Sequence, residues 1–366
     1  MRFTHVESPV DFPVDCDVNF PVDCDVNSPV DCDVNSQVDC HADFTKQAFA
    51  RHCFMVYYMA ICVGSGAGNT SGAAAGQEGG MAMKHGLVLE GGGMRGLFSM
   101  GILDVWMEQG DIAFDGMVGV SAGAAFGCNF KSGQIGRGIR YNVRYATDWR
   151  YKGYRSWLLT GDIFGAEFCY KTLPEELDVF DKEAFAANPM EFYAGVTNLE
   201  TGRAMFKRLH DCGESDMMWI RASASLPIVS KIVKIGPYKL LDGGIADSIP
   251  LHFMEGRGYD RNIVILTQPA GFVKEKNSML PLIRVALRKY PKAVEAMENR
   301  HIMYNRETAY VAEHAAAGAA LVLQPDAPLA IDNLEKREEE LMRVYNHGRE
   351  VGERTLAQVR AFLARE

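Results

Sequence analysis

The stretch His85-Gly86-Leu87-Val88-Leu89-Glu90-Gly91-Gly92-Gly93-Met94-Arg95-Gly96 decides how this chain folds. Its apolar start predicts a buried strand, its glycines a tight turn, and the amphipathic run from Leu97 to Gln109 a helix. A turn between a strand and a helix presents backbone N–H groups to an anion. Twenty-five residues beyond Gly96 stands Ser121, in a run Gly119-Val120-Ser121-Ala122-Gly123 that repeats that context. Gly116 to Val120 reads as a short buried strand, and the small residues Ala122 to Gly127 enter a helix. Glycines on both sides of a serine permit a turn too sharp for larger side chains, the arrangement of a nucleophile elbow. From Lys84 onward strand-like and helix-like segments alternate, which indicates an α/β fold with a largely parallel central sheet.

A third element carries the chemistry further. At Tyr238-Lys239-Leu240-Leu241-Asp242-Gly243-Gly244 a strand-like run ends in an aspartate whose two following glycines turn the backbone and leave the carboxylate uncovered. Ile232 to Tyr238 reads as a hairpin that delivers it, and Glu191 to Asn198, Ala204 to Leu209 and Asn262 to Thr267 read as further strands. The three motifs, in this order, resemble the patatin-like phospholipase family, whose pattern is G-G-G-x-[RK]-G, G-x-S-x-G and D-G-[GA]. The resemblance covers roughly Lys84 to Gly256. It implies a three-layer sandwich with a Ser-Asp dyad, in which Ser121 is the nucleophile and Asp242 the base. It further implies an oxyanion hole over Gly91, Gly92, Gly93, Met94, Arg95 and Gly96, with Gly119 and Gly123 shaping the elbow and Gly243 and Gly244 the turn after the base. The substrate it implies is a lipid or other acyl ester; no nucleic acid, metal or organic cofactor is called for.

The chemistry stands without the family. A serine hydroxyl is a poor nucleophile at neutral pH and needs a base within hydrogen-bond reach. An ordinary aspartate, with a pKa near 4, is a weak base unless desolvated, so the oxyanion donors must supply more of the stabilisation. A Ser-His-Asp α/β-hydrolase is the rival enzyme, with His252, His301, His314 and His347 all downstream of Asp242. Each of them falls on or beside a predicted helix, whereas a triad histidine usually sits in a loop beyond a strand. A dinucleotide fingerprint needs an acid at the end of the second strand, and Asp115 precedes its strand. A non-catalytic lipid-binding protein is the alternative outside the enzymes.

The 366 residues carry a net charge of −9, but residues 1 to 80 hold three Lys or Arg against eleven Asp or Glu, which is −8 and leaves −1 for the rest. The acidity belongs to a leader in which Pro-Val-Asp-Cys-Asp-Val-Asn recurs every eight residues, with Cys16, Cys24, Cys32 and Cys40 in equivalent positions. That spacing suits neither zinc ligation nor a packed core. A Gly-, Ala- and Ser-rich linker follows. We therefore expect a disordered leader over 1–80 that a chain begun at Met83 can do without, a catalytic domain over 84–270 and a mainly helical region over 271–366. Only Cys128, Cys169 and Cys212 lie beyond the leader, which suggests a reduced, cytoplasmic protein. Lys131, Arg137, Arg140, Arg144, Arg150, Lys152 and Arg155, interleaved with aromatic residues, suggest peripheral contact with an anionic membrane.

Overall fold

A computed structural model of the chain describes residues 83–364; the leader lies outside the described residues. The chain runs through β1 (His85–Leu89), α1 (Gly96–Gln109), β2 (Gly116–Val120), α2 (Ala122–Lys131), α3 (Arg137–Arg144) and α4 (Tyr154–Thr160). A π-helical segment, Phe168–Leu177, precedes α5 (Lys182–Ala187), β3 (Glu191–Asn198), β4 (Ala204–Leu209), α6 (Glu214–Ser223), β5 (Val233–Ile235) and β6 (Tyr238–Asp242). Then come α7 (Leu251–Gly256), β7 (Arg261–Ile265), α8 (Leu280–Ala286), α9 (Pro291–Ala316), β8 (Ala320–Leu323) and α10 (Glu338–Leu363). The predicted strands all form, within two residues of their expected ends.

The strands make one sheet in the order β5-β6-β3-β2-β1-β7-β8, with β4 paired to β3. Its centre is parallel from β3 through β2, β1 and β7 to β8, while β4, β5 and β6 pair antiparallel. Successive side chains of a strand point to opposite faces, and both faces here are apolar. Leu87, Leu89 and Met117 face the layer that includes α1, α2 and α10; Val88, Val118 and Val264 face the layer that includes α7 and α9. That double burial explains why the strands read as continuous apolar runs instead of alternating ones.

The pairing of β3 explains how residues 121 apart in sequence meet. One edge of β3 is taken by β4 over residues 192–197. The other is taken first by β2, which pairs Val120 with Gly195 and ends there, and then by β6, which pairs Asp242 with Val196. Strand β6 thus occupies the edge that β2 vacates where the chain turns at Ser121.

Residues 271–364 are mainly helical, but they also supply β8, which extends the sheet beside β7. Helix α10 is tied to α1 by Tyr345, whose hydroxyl donates to Asp104 Oδ2 at 2.7 Å, and by Arg349, which forms an ion pair with Glu108 at 2.7 Å.

The basic–aromatic stretch is divided between inward and exposed charge, with Arg140, Arg144, Arg150 and Arg155 exposed. Arg137 is only 4% exposed and donates to Asp178 O and to Asn129 Oδ1. Arg140 pairs with both carboxylate oxygens of Asp178 at 2.8 Å, and Arg150 with Asp148 at 2.7 Å. Lys131 and Lys152 are buried. Of the basic side chains of α3, Arg137 turns inward to Asp178, a partner that no local reading could supply, while Arg140 reaches Asp178 from an exposed position and Arg144 stays exposed.

Candidate active site

Ser121 stands between β2 and α2 with φ 55° and ψ −121°, a strained combination for a residue with a side chain and one that clusters at functional sites. Its N–H donates to Ser223 Oγ at 2.9 Å, and Ser223 Oγ in turn donates to Gly195 O at 2.6 Å. Its carbonyl accepts the first bonds of α2, from Ala124 and Ala125 at 3.1 Å. Behind the elbow, a Cβ on Gly123 would come within 2.4 Å of Leu89 O, so glycine is required for α2 to start this close to β1.

Asp242 lies at the end of β6 and is 2% exposed. Its N–H donates to Ser225 O at 2.8 Å, its carbonyl accepts from Thr197 Oγ1 at 2.8 Å, and its Oδ1 accepts from Gly244 N at 2.8 Å. Its Oδ2 is buried without a hydrogen-bond partner among the described residues. Burial pushes the carboxyl above the ordinary carboxylate range, against the opposing effects of the neighbouring Ser121 hydroxyl, the Arg300 guanidinium and the Gly244 amide. Ser121 is thus close enough to favour the charged form, although no hydrogen bond of regular geometry joins the two side chains. The C-terminal end of α6 holds both residues by their backbones, through Ser223 and Ser225.

The glycine turn lies against the elbow: a Cβ on Gly91 would come within 2.8 Å of Ser121 Cβ. Gly93 has φ +58° and opens a short 3₁₀ turn through Arg95. The amides of Gly92 and Gly93 donate to no protein acceptor among the described residues, and that of Met94 donates only to Asn333 Oδ1, at 3.4 Å. The turn is anchored from behind by Glu90, whose carboxylate accepts from Thr267 N at 2.5 Å and Tyr304 Oη at 2.8 Å.

Two cavities meet at Ser121. One, of about 350 Å³, is apolar and includes Phe126, Tyr141, Phe164, Leu173, Met217 and Ile220 in its wall. The other, of about 280 Å³, is polar and includes Arg95, Asp242, Lys274, Arg300 and Tyr304. Ser121, Gly93, Leu226 and Asn333 line both. No histidine among the described residues lines either one.

Residues 87–254 match the family model of the patatin-like phospholipases. This stretch belongs to the patatin-like phospholipase family. Residues 290–364 match a second model, a domain of unknown function (DUF6363). The chain is 27% identical over 202 residues to "Uncharacterized protein YjjU" of Escherichia coli, covering 50% of this chain and 52% of that one. It is 30% identical over 184 residues to lysophospholipase nte1 of Aspergillus oryzae, covering 48% of this chain and 11% of the fungal protein. The corresponding yeast lysophospholipase NTE1 is 29% identical over 181 residues, covering 47% and 10%. The chain therefore spans about half the length of the first relative and about a tenth of the lysophospholipases. The structure of VipD from Legionella pneumophila aligns with a TM-score of 0.38 at 14% identity, over 75% of this chain and 67% of that one.

All the site residues expected from the patatin-like motifs come together around Ser121. Sequence reasoning missed the residues that adjoin this cluster from a distance: Ser223 under the elbow, Asn333 at the glycine turn, and Lys274 and Arg300 in the polar cavity. Ser223 sits in the segment Arg221 to Pro227 that resembles the family's buried helix, and its small residues signalled only close packing. The other three carry no local signal, because they reach the site from β7–α8, α9 and the loop after β8.

Proposed function

We propose that the protein is a serine hydrolase of acyl esters, with a lipid acyl group as the natural substrate, acting through an acyl-enzyme on Ser121. The observation that carries this reading is the convergence of a strained serine, a buried carboxylate and unengaged backbone amides at the mouth of an apolar cavity. Its volume, about 350 Å³, falls in the range of about 300–1,000 Å³ usual for ligand pockets, and its lining suits a hydrocarbon chain.

Asp242 accepts the Ser121 proton as Oγ attacks the ester carbonyl. The amides of Gly92 and Gly93 receive the developing oxyanion, and that of Met94 joins them when Asn333 yields it. Collapse expels the alcohol, which takes the proton from Asp242. Water, deprotonated by Asp242, then attacks the acyl-enzyme and releases the acid as the proton passes to Ser121. Burial of Asp242 raises its basicity toward the working pH, where a general base is most effective. Fluorophosphonate labelling tests the reading: one adduct is expected on the peptide holding Ser121, blocked by prior incubation with an ester substrate. Labelling elsewhere, or none, overturns it.

Contact with a lipid surface is assigned to α4, at the end of the basic–aromatic stretch. Tyr154, Leu158 and Leu159 are 71%, 77% and 64% exposed on that helix, beside the exposed Arg155. Trp157 Nε1 donates to Ile228 O at 3.1 Å, and Ile163 N donates to Val229 O at 2.8 Å. Ile163 and Val229 line the apolar cavity, so this exposed face adjoins its rim. An apolar face with aromatic and basic neighbours lies at a bilayer interface. Leu158→Asp with Leu159→Asp is expected to cut sedimentation with phospholipid vesicles several-fold while hydrolysis of a soluble short-chain ester stays the same. Equal vesicle binding sinks this assignment. No described helix is long and apolar enough to cross a membrane.

A further inference from the structure

We propose that Asn333 is an internal competitor of the substrate carbonyl: its carboxamide, delivered by the turn between β8 and α10, rests on the glycine turn and has to be displaced before the Met94 amide can serve the reaction. The proposal rests on the acyl-hydrolase reading for what that amide does. It also gives a part in the site to residues 290–364, the region that matches a domain of unknown function.

Asn333 Oδ1 accepts from Met94 N at 3.4 Å, and it lies so close to Gly93 that a Cβ there would collide with it. A carboxamide oxygen is an acceptor of the same kind as an ester carbonyl oxygen, so Asn333 imitates the group whose place it takes. The amide has one proton to give, and the oxyanion gains it as Asn333 lets go. The exchange favours the oxyanion. At 3.4 Å the resting bond is longer than a well-formed N–H···O bond of about 2.7–3.2 Å, and an oxyanion accepts more strongly than a neutral carboxamide. Asn333 lines both cavities and Leu334 the apolar one. An ester extended from one cavity into the other therefore passes this side chain.

The chain builds a support for this contact. Glu335 N donates to Asp332 O at 3.1 Å and Leu334 N to Asp332 Oδ1 at 2.6 Å, which closes a turn with Asn333 in its second position. Ahead of the turn, Leu329 is buried and its carbonyl accepts from Arg343 of α10 at 2.9 Å. Behind it, Glu335 accepts from the amides of Lys336 and Arg337 at 2.9 Å and pairs with the Arg337 guanidinium at 2.7 Å. Lys152 is buried with its Nζ 3.7 Å from Met94 Sδ, and the carboxylates of Glu335 and Asp332 favour its charged form. The turn is thus fastened at both ends, while its apex is held lightly. Asn333 is exposed, and its side chain makes no other hydrogen bond among the described residues. Ala330, which leads into the turn, has φ +41°, an uncommon conformation for a residue with a side chain.

Removing a competitor speeds the reaction and removing a catalytic donor slows it, so the sign of the effect decides. In Asn333→Ala the second-order rate of fluorophosphonate labelling at Ser121 is expected to rise about two- to tenfold, the range set by the loss of one neutral hydrogen bond. The affinity for a trifluoromethyl ketone, whose hemiketal with Ser121 bears an oxyanion, should rise by a similar factor. Asn333→Asp places a stronger acceptor of the same shape on the Met94 amide, and labelling should fall below that of the parent. An unchanged labelling rate and ketone affinity in Asn333→Ala overturn the proposal. Slower labelling there assigns Asn333 Nδ2 as a donor to the oxyanion and overturns it as well. Labelling of Asn333→Asp as fast as that of Asn333→Ala makes the side chain's fit, and not its acceptor, the obstacle, which is also contrary to it. Failure of the acyl-hydrolase reading looks different, since the parent itself then takes no label at Ser121 and the competitor falls with it.

Discussion

Hydrolysis of a soluble ester is expected to fall by about four orders of magnitude or more in Ser121→Ala and in Asp242→Asn, the range seen when a nucleophile or its base is removed from a serine hydrolase. The aspartate variant is the more informative. A carboxamide in place of the Asp242 carboxylate keeps the shape of the side chain and the bond its oxygen accepts from the Gly244 amide, now 2.8 Å long. What it cannot do is take a proton. Among the described residues no histidine lines either cavity at Ser121, so no second base stands ready to replace it. Turnover of Asp242→Asn within tenfold of the parent would falsify the dyad.

The same substitution separates activity from stability. Burial raises the folded pKa of Asp242 above the value of about 4 expected in the unfolded chain. The folded state therefore holds this proton more tightly than the unfolded one. Its contribution to stability is fully present below the unfolded pKa and is lost as pH rises through the folded pKa, so at neutral pH the ionised carboxylate is a burden on the fold. Asp242→Asn removes that burden, and its Tm at pH 7 is expected to equal or exceed that of the parent while activity is abolished. For the active protein, kcat/KM should fall on acidification at a pH above that of an ordinary aspartate, because the base must be ionised to act. A limb centred at or below about pH 4, the ordinary aspartate value, would show that burial does not tune this group.

How much of this was legible in the sequence follows from where each interaction closes. The strand–turn–helix units were readable because glycine is demanded locally: Gly119 and Gly123 shape a turn whose alternatives collide with backbone. The double burial of β1, β2 and β7 likewise leaves continuous apolar runs such as Leu87-Val88-Leu89. Strand β8 was missed because Ala320-Leu321-Val322-Leu323 is only four residues long and follows an alanine-rich helix end, where the one local stop signal is Gly318 at φ +75°. Its strand character comes from the edge of β7 on which it pairs. The burial of Arg137 was unreadable for a related reason: Arg137, Arg140 and Arg144 share helical spacing, and only the distant Asp178 decides that the first of them turns inward. Lys274, Arg300 and Asn333 were silent because each is a single polar residue delivered to the site by a long-range packing contact.

The glycine turn supplies the second large effect expected. Gly93→Ala should lower kcat on a soluble ester by about a hundred- to a thousandfold, the usual cost of one lost oxyanion donor, with KM little changed because the donor acts on charge that develops only in the transition state. Two causes act together. At φ +58° a side chain is disfavoured, at a cost of about 1–2 kcal/mol, and the added Cβ would come within 2.0 Å of Asn333 Oδ1. Either cause tilts the peptide planes whose N–H groups must converge on one oxygen. Asn333→Ala separates them, since it empties the space beside Gly93 and frees the Met94 amide without altering the backbone preference. In that background Gly93→Ala should recover part of its kcat and part of its loss in Tm, leaving the share due to φ. Complete recovery would mean that only the collision matters; full activity of Gly93→Ala on its own would mean that the oxyanion is held elsewhere than at this turn.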